Sequence, residues 1–175
     1  MLKQDEMEMN LDTRMKCVMF FKKFREATYC HKFAEMQQLY DKNQDIISAM
    51  KNDKMQWQNI KRDLLWKSLY YGEIDIVIWL HHHFHFTIHD IIGQTLNESS
   101  YNFGFAAAFK GKAQKSMRWL LDTFGSAAWV NVSGEYGQRH VLDELERWYY
   151  KQDHHKKELQ EMIKIAEEVK KEWEK

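Results

Sequence analysis

The chain has 175 residues, of which 44% are hydrophobic and 30% charged, a balance that supports a packed core and excludes a disordered polymer. Lys plus Arg and Asp plus Glu each number 26, so the net charge is zero and a broad basic footprint for nucleic acid is not expected. Only Cys17 and Cys30 are present, which excludes a disulfide scaffold and suits a reducing, intracellular setting.

A single domain is expected over residues 1–175, and near-neutral charge suits a protein held in an assembly. Residues 1–12 are polar and expected to fray. Their acidic residues Asp5, Glu6, Glu8 and Asp12 are unlike a secretory signal, and the apolar run 17–21 is too short to span a membrane. The absence of proline, with only seven glycines, favours helices.

Apolar residues recur at three and four from about Leu11 to Met50, with a break at His31-Lys32 and a turn at Asn43-Gln44-Asp45. Residues 51–59 are polar and read as a loop or exposed helical turn. Leu64–Tyr71 and Glu73–His82 form a helix pair around Gly72, and the alternating stretch His83–His89 reads as a short extended piece. Gly93–Asn102 reads as a loop leading into a helix start. Phe103–Lys110 and Lys112–Thr123 form the next pair around Gly111, stopped by Gly125. Val132–Gly137 reads as a turn, followed by helices at His140–Tyr150 and Lys156–Trp173.

Two of these segments are similar to one another. Each has a helix end, a glycine (Gly72, Gly111) and a second helix containing Trp-Leu (Trp79-Leu80, Trp119-Leu120), the later copy with one extra residue. The pattern resembles the ankyrin repeat in a diverged form. Ala107-Ala108, Gly125, Val130-Asn131 and Val141-Leu142-Asp143 carry the likeness further, and Ala27, His31, Leu39 and Asp45-Ile46 sketch a weaker first copy. With His31, Gly72, Gly111 and Tyr149 as equivalents the spacings are 41, 39 and 38, against roughly 33 in that family. Thr-Pro-Leu-His, common in the family, does not occur. The resemblance implies an all-α solenoid of about four helix-turn-helix repeats over 13–170, closed by a polar capping helix at 156–175. It also implies a non-enzymatic adaptor or complex subunit that binds another protein. Diverged Trp-Leu repeats also resemble those of factors that viruses or intracellular microbes direct at their hosts.

In that register the positions before the glycine hold Tyr29, Tyr70, Phe109 and Arg147, then Cys30, Tyr71, Lys110 and Trp148; Arg25, Trp66, Phe105 and Asp143 lie four before the first of these. They are expected to form an aromatic, partner-binding column, since Tyr, Trp and Arg dominate many interfaces. The bland alternative is that the rings pack between helices. His81, His85 and His89 are metal candidates by spacing, and a His-rich metal-binding protein or metal-dependent enzyme built on them is the alternative function; no His-Glu-x-x-His signature or cysteine pair accompanies them, and no cofactor is expected. Ser68, Ser99, Ser100, Ser116 and Ser133 lack a nucleophile-elbow setting, and no phosphate loop occurs. An alternative nucleic-acid surface would draw on Lys22, Lys23, Arg25, Lys61, Arg62 and Lys67. The stripe Leu159, Met162, Ile163, Ile165, Ala166, Val169 and Trp173 suits either a docked cap or a helix offered to a partner.

Overall fold

A computed structural model describes residues 11–94, 100–125, 132–134, 137–139, 141–151 and 154–175. The chain divides into two compact units, residues 1–60 and 61–175. Both are helical, and the described strands are confined to two three-residue antiparallel pairs.

The first unit contains α1 (Leu11–Tyr29), α2 (Phe33–Lys42) and α3 (Gln44–Asn52), with α1 packed on both of the others. Cys17, Phe20, Phe24, Ala27 and Thr28 recur at three and four, so one face of α1 is buried. They meet Met36 and Tyr40 of α2 and Ile47 and Met50 of α3 in the unit's core. The buried Thr28 hydroxyl donates to the Phe24 carbonyl at 2.8 Å, which satisfies it. Asn43 alone separates α2 from α3, and the side-chain amides of Asn43 and Gln44 donate to the Leu39 and Tyr40 carbonyls at 2.7 Å.

α4 runs Lys54–Tyr71, so the polar stretch 51–59 is mostly helix rather than loop. The reason is local: the Asp53 carboxylate accepts from the Gln56 amide at 3.0 Å, an N-cap. The polar residues that follow form the exposed side of the first turns.

The second unit continues with α5 (Ile74–Phe84), α6 (Ile88–Ile91), β1 (Ile92–Gln94), β2 (Ser100–Asn102), α7 (Phe103–Gly111) and α8 (Gln114–Phe124). After them come β3 (Val132–Gly134), β4 (Gly137–Arg139), α9 (Val141–Lys151) and α10 (Lys156–Trp173). β1 pairs with β2 and β3 with β4, so the expected loop at 93–102 and turn at 132–137 carry short ladders. α8 packs against α5, α7 and α10, and α10 also against α9. Leu159, Met162, Ala166 and Val169 form the buried stripe of α10, which packs on α8 and α9. The side chain of Trp173 lies outside the described residues, as do residues 1–10, 95–99 and Val130-Asn131.

The expected extended piece at His83–His89 is not strand. α5 ends at Phe84, His85 takes a left-handed conformation (φ 50°), and α6 starts at Ile88. Thr87-Ile88-His89-Asp90 is a capping box: the Asp90 carboxylate accepts from the Thr87 amide at 2.7 Å and hydroxyl at 3.1 Å. Its other oxygen meets Lys61 Nζ at 2.9 Å, the Lys61 and Asp90 side chains being only 11% and 2% exposed.

One turn recurs three times. His31, Gly72 and Lys112 have φ of 58°, 72° and 53°, and lie 41 and 40 residues apart. Each follows a helix end with the same pair of bonds: His31 N–H to Thr28 and Lys32 N–H to Ala27, Gly72 to Leu69 and Glu73 to Ser68, Lys112 to Phe109 and Ala113 to Ala108. This is the Schellman motif, in which a left-handed residue satisfies the last carbonyls of a helix. A new helix starts two residues after the turn residue, and Met36, Val77 and Met117 in these helices are fully buried. The glycine register expected from sequence is therefore off by one in the later copy. The turn position is Lys112, and Gly111 is glycine because a Cβ there would overlap the Tyr70 carbonyl. The supposed extra residue disappears: Trp79 and Trp119 each stand seven beyond the turn residue. Each also meets a phenylalanine five residues on edge-to-face, Phe84 at 6.4 Å and Phe124 at 5.7 Å. Tyr149, the fourth expected glycine equivalent, sits inside α9.

The two glycines should therefore respond differently to substitution in urea unfolding. Gly72→Ala is expected to lose about 1 kcal/mol through its left-handed backbone. Gly111→Ala should lose about 3 kcal/mol from backbone collision, while Lys112→Gly should gain up to about 1 kcal/mol. Asp90→Ala, which strands the Lys61 ammonium, is expected to lose about 3–5 kcal/mol in the same assay.

Candidate functional site

The end of α4 and the end of α7 meet backbone to backbone. Gly111 abuts Tyr70, a methyl at Gly72 would lie 3.4 Å from Ala113 Cβ, and the buried Ser116 hydroxyl donates to the Leu69 carbonyl at 2.7 Å. Small residues at the junction hold Trp66, Lys67, Tyr70 and Tyr71 of α4 beside Lys110 of α7. Lys110 Nζ lies 5.5 Å from the Trp66 ring centre and Lys67 Nζ 5.8 Å from that of Tyr71. Tyr70 and Tyr71 meet edge-to-face at 5.0 Å. Tyr71 is 51% exposed, and Trp66 and Tyr70 are half-buried. Aromatic faces under ammonium groups are attractive at about 0.5–1 kcal/mol each when exposed, and they leave ring area for a further ligand.

The corrected register sorts the expected column. Two positions before the turn residue stand Tyr29, Tyr70 and Lys110; six before it stand Arg25, Trp66 and Ala106. Phe109 instead falls in line with Thr28 and Leu69, three before the turn, and all three are buried. Phe109 is core, which corrects its assignment to the binding column. Phe105, whose side chain lies outside the described residues, falls in line with buried Phe24 and Leu65. On α1 the exposed Arg25 stacks over the Tyr29 ring at 5.0 Å within its own copy. Arg147 of α9 is half-buried, and the side chain of Trp148 is outside the described residues.

A second tyrosine pair escaped the sequence reading. Tyr149 and Tyr150 of α9 meet edge-to-face at 5.5 Å, with Lys156 Nζ 5.8 Å from the Tyr149 ring centre and Tyr150 81% exposed. The available signal was the recurrence of Tyr-Tyr at a helix end, as at Tyr70-Tyr71.

The histidines are engaged separately. His83 stacks on Trp79 at 3.9 Å and its Nδ1 lies 2.8 Å from the Trp79 carbonyl. His81 is enclosed by Phe86, Trp119 and Phe124, with centroids at 6.3, 5.5 and 5.9 Å. Burial, helped by neighbouring His85 and His82, holds its pKa below the ordinary 6.5. Among the described residues no group of three or more His, Cys, Asp or Glu side chains is arranged to hold a metal ion, so His81, His85 and His89 do not converge. The Ser68 and Ser116 hydroxyls both donate to main-chain carbonyls. Lys61, counted toward a basic surface, is buried against Asp90 instead. No helix of the described residues is long and apolar enough to cross a membrane.

No family model, curated protein or solved structure matches this chain.

Because folding depresses the His81 pKa, the unfolded chain binds more protons than the native protein just below pH 6.5. Stability from this site is complete above that pH and is lost as pH falls through the depressed folded value. Thermal unfolding between pH 7.5 and 5 should therefore show a steeper acid loss for the wild type than for His81→Phe; parallel slopes would contradict the assignment.

Proposed function

We propose that this chain is a non-enzymatic protein–protein interaction module built of ankyrin-like helix-turn-helix repeats, acting as an adaptor or as a subunit of a larger complex. The observation that carries the reading is the set of rings left outside the core at the end of α4: Trp66, Tyr70 and Tyr71, bracketed by Lys67 and Lys110. None of the three is in the buried core, and Tyr and Trp with cationic neighbours are groups that often anchor a protein partner. Support for the repeat reading comes from the recurrent turn at about forty-residue spacing and from the like pairings of Trp79 and Trp119. Lys67 and Lys110 favour a partner segment that carries carboxylates.

The test compares two variants in affinity capture from the native source, read by mass spectrometry. Trp66→Ala/Tyr71→Ala should lose a partner that the wild type retains, with a melting temperature within about 4 °C of it. Phe109→Ala should instead lose about 3 kcal/mol, roughly 6–12 °C, because it empties a core position. Equal capture by the wild type and the double variant would defeat the proposal.

A further inference from the structure

Half of the large apolar side chains left exposed among the described residues fall within nine positions of α1: Leu11, Met15, Val18 and Met19, at 75%, 58%, 62% and 59% exposure. Their spacing of four, seven and eight from Leu11 puts them on one stripe. The opposite face of α1, with Cys17, Phe20, Phe24 and Ala27, is the one buried against α2 and α3. α1 therefore has two apolar faces, and the packing of its unit accounts for one. Single exposed apolar residues need no explanation, but a continuous ridge does.

The setting of the ridge identifies what suits it. Within Leu11–Tyr29 there are five basic residues (Arg14, Lys16, Lys22, Lys23, Arg25) and two acidic ones (Asp12, Glu26), a local charge of +3 in a chain of net zero. Asp12 is already held by Lys16 at 2.7 Å. Arg14 lies at the ridge's edge, and Lys22, four beyond Val18, continues its line. A second copy of α1 would bring the same positive charge against it, which disfavours self-pairing. An anionic lipid surface wants a broad apolar face with exposed Trp or Phe; this ridge is narrow and has neither. Two of its four anchors are methionines, which adapt to the contours of a packed helix.

We infer that the outer face of α1 binds an acidic amphipathic helix of another protein, one with aliphatic residues at three- and four-residue spacing and carboxylates beside them. The ridge supplies the apolar seam, and Arg14, Lys22 and Arg25 pair with the carboxylates. This surface lies within the first unit and does not rest on the α4 reading.

The test titrates the full chain into a fluorescein-labelled synthetic peptide of about twenty residues, with Leu at heptad a and d and Glu at e and g, followed by anisotropy. Saturable binding is expected, weakened about tenfold by either Met15→Glu or Val18→Glu and weakened also by added salt. The same peptide with Lys at e and g should not bind. Circular dichroism of both variants should match the wild type, because the substituted side chains are solvent-exposed. Absence of binding by the Glu peptide, or equal binding by the variants, overturns the proposal. So does capture by phosphatidylserine vesicles that Val18→Glu abolishes while the peptide is ignored, or a wild-type dimer in sedimentation that Val18→Glu dissolves.

Discussion

Two helix ends in the 61–175 unit touch through their main chains, and that approach requires Gly111 to lack a side chain. A Cβ would occupy the place of the Tyr70 carbonyl, which cannot move without breaking the turn at Gly72. Three features follow from the closeness: the Ser116 hydroxyl reaches the Leu69 carbonyl, Ala113 lies against Gly72, and Lys110 extends over the Trp66 ring. The Leu69 carbonyl already accepts from the Gly72 N–H of its own turn, and Ser116 of α8 gives it a second donor. The first turn of α8 thus ties this helix end to its neighbour, and the aromatic cluster is a consequence of that fit.

The Lys61–Asp90 pair sets geometry more than it adds net stability. Burying both charges carries a desolvation penalty that their attraction roughly offsets, so a well-packed apolar pair would be about as stable. What an apolar pair would not do is cap α6. One Asp90 oxygen holds the Thr87 amide and hydroxyl while the other holds Lys61, so the carboxylate fixes where a four-residue helix starts and which part of α4 it faces. A helix that short has little stability of its own, and its direction must come from such contacts.

The helices were legible because their apolar residues recur at three and four, and the Gly72 turn because glycine marks a left-handed C′ position. Gly111 misled for a physical reason: glycine serves both a positive φ and a close approach, and sequence does not say which. His31 and Lys112 hold left-handed backbone without any mark of it in the chain, at about 1–2 kcal/mol each. That off-by-one error placed Phe109 on the binding column, when its true companions are Thr28 and Leu69 of the core. The polar stretch 51–59 is exposed helix, the second of its two readings, and the alternating 83–89 is not extended; a short cap decides each, Asp53 and Thr87-x-x-Asp90. Both caps were available to reading. The packing of His81 among three rings was not, since it depends on α8 lying against α5.

With the register set by the turns, inner and outer positions behave differently across the copies. Seven before the turn residue stand Phe24 and Leu65, with Leu145 another eighty residues on, and all three are buried. Three before it, Thr28, Leu69 and Phe109 are buried too, Thr28 tolerated there because its hydroxyl bonds back to Phe24. Six before the turn stand Arg25 and Trp66, and two before it Tyr29, Tyr70 and Lys110, none of them in the buried core. Packing constrains a buried slot to fit its neighbours, so each of these positions is filled by a side chain its own surroundings can enclose. An outer slot carries less of that constraint. The change from Arg25 to Trp66 six before the turn marks a position that the buried contacts do not fix.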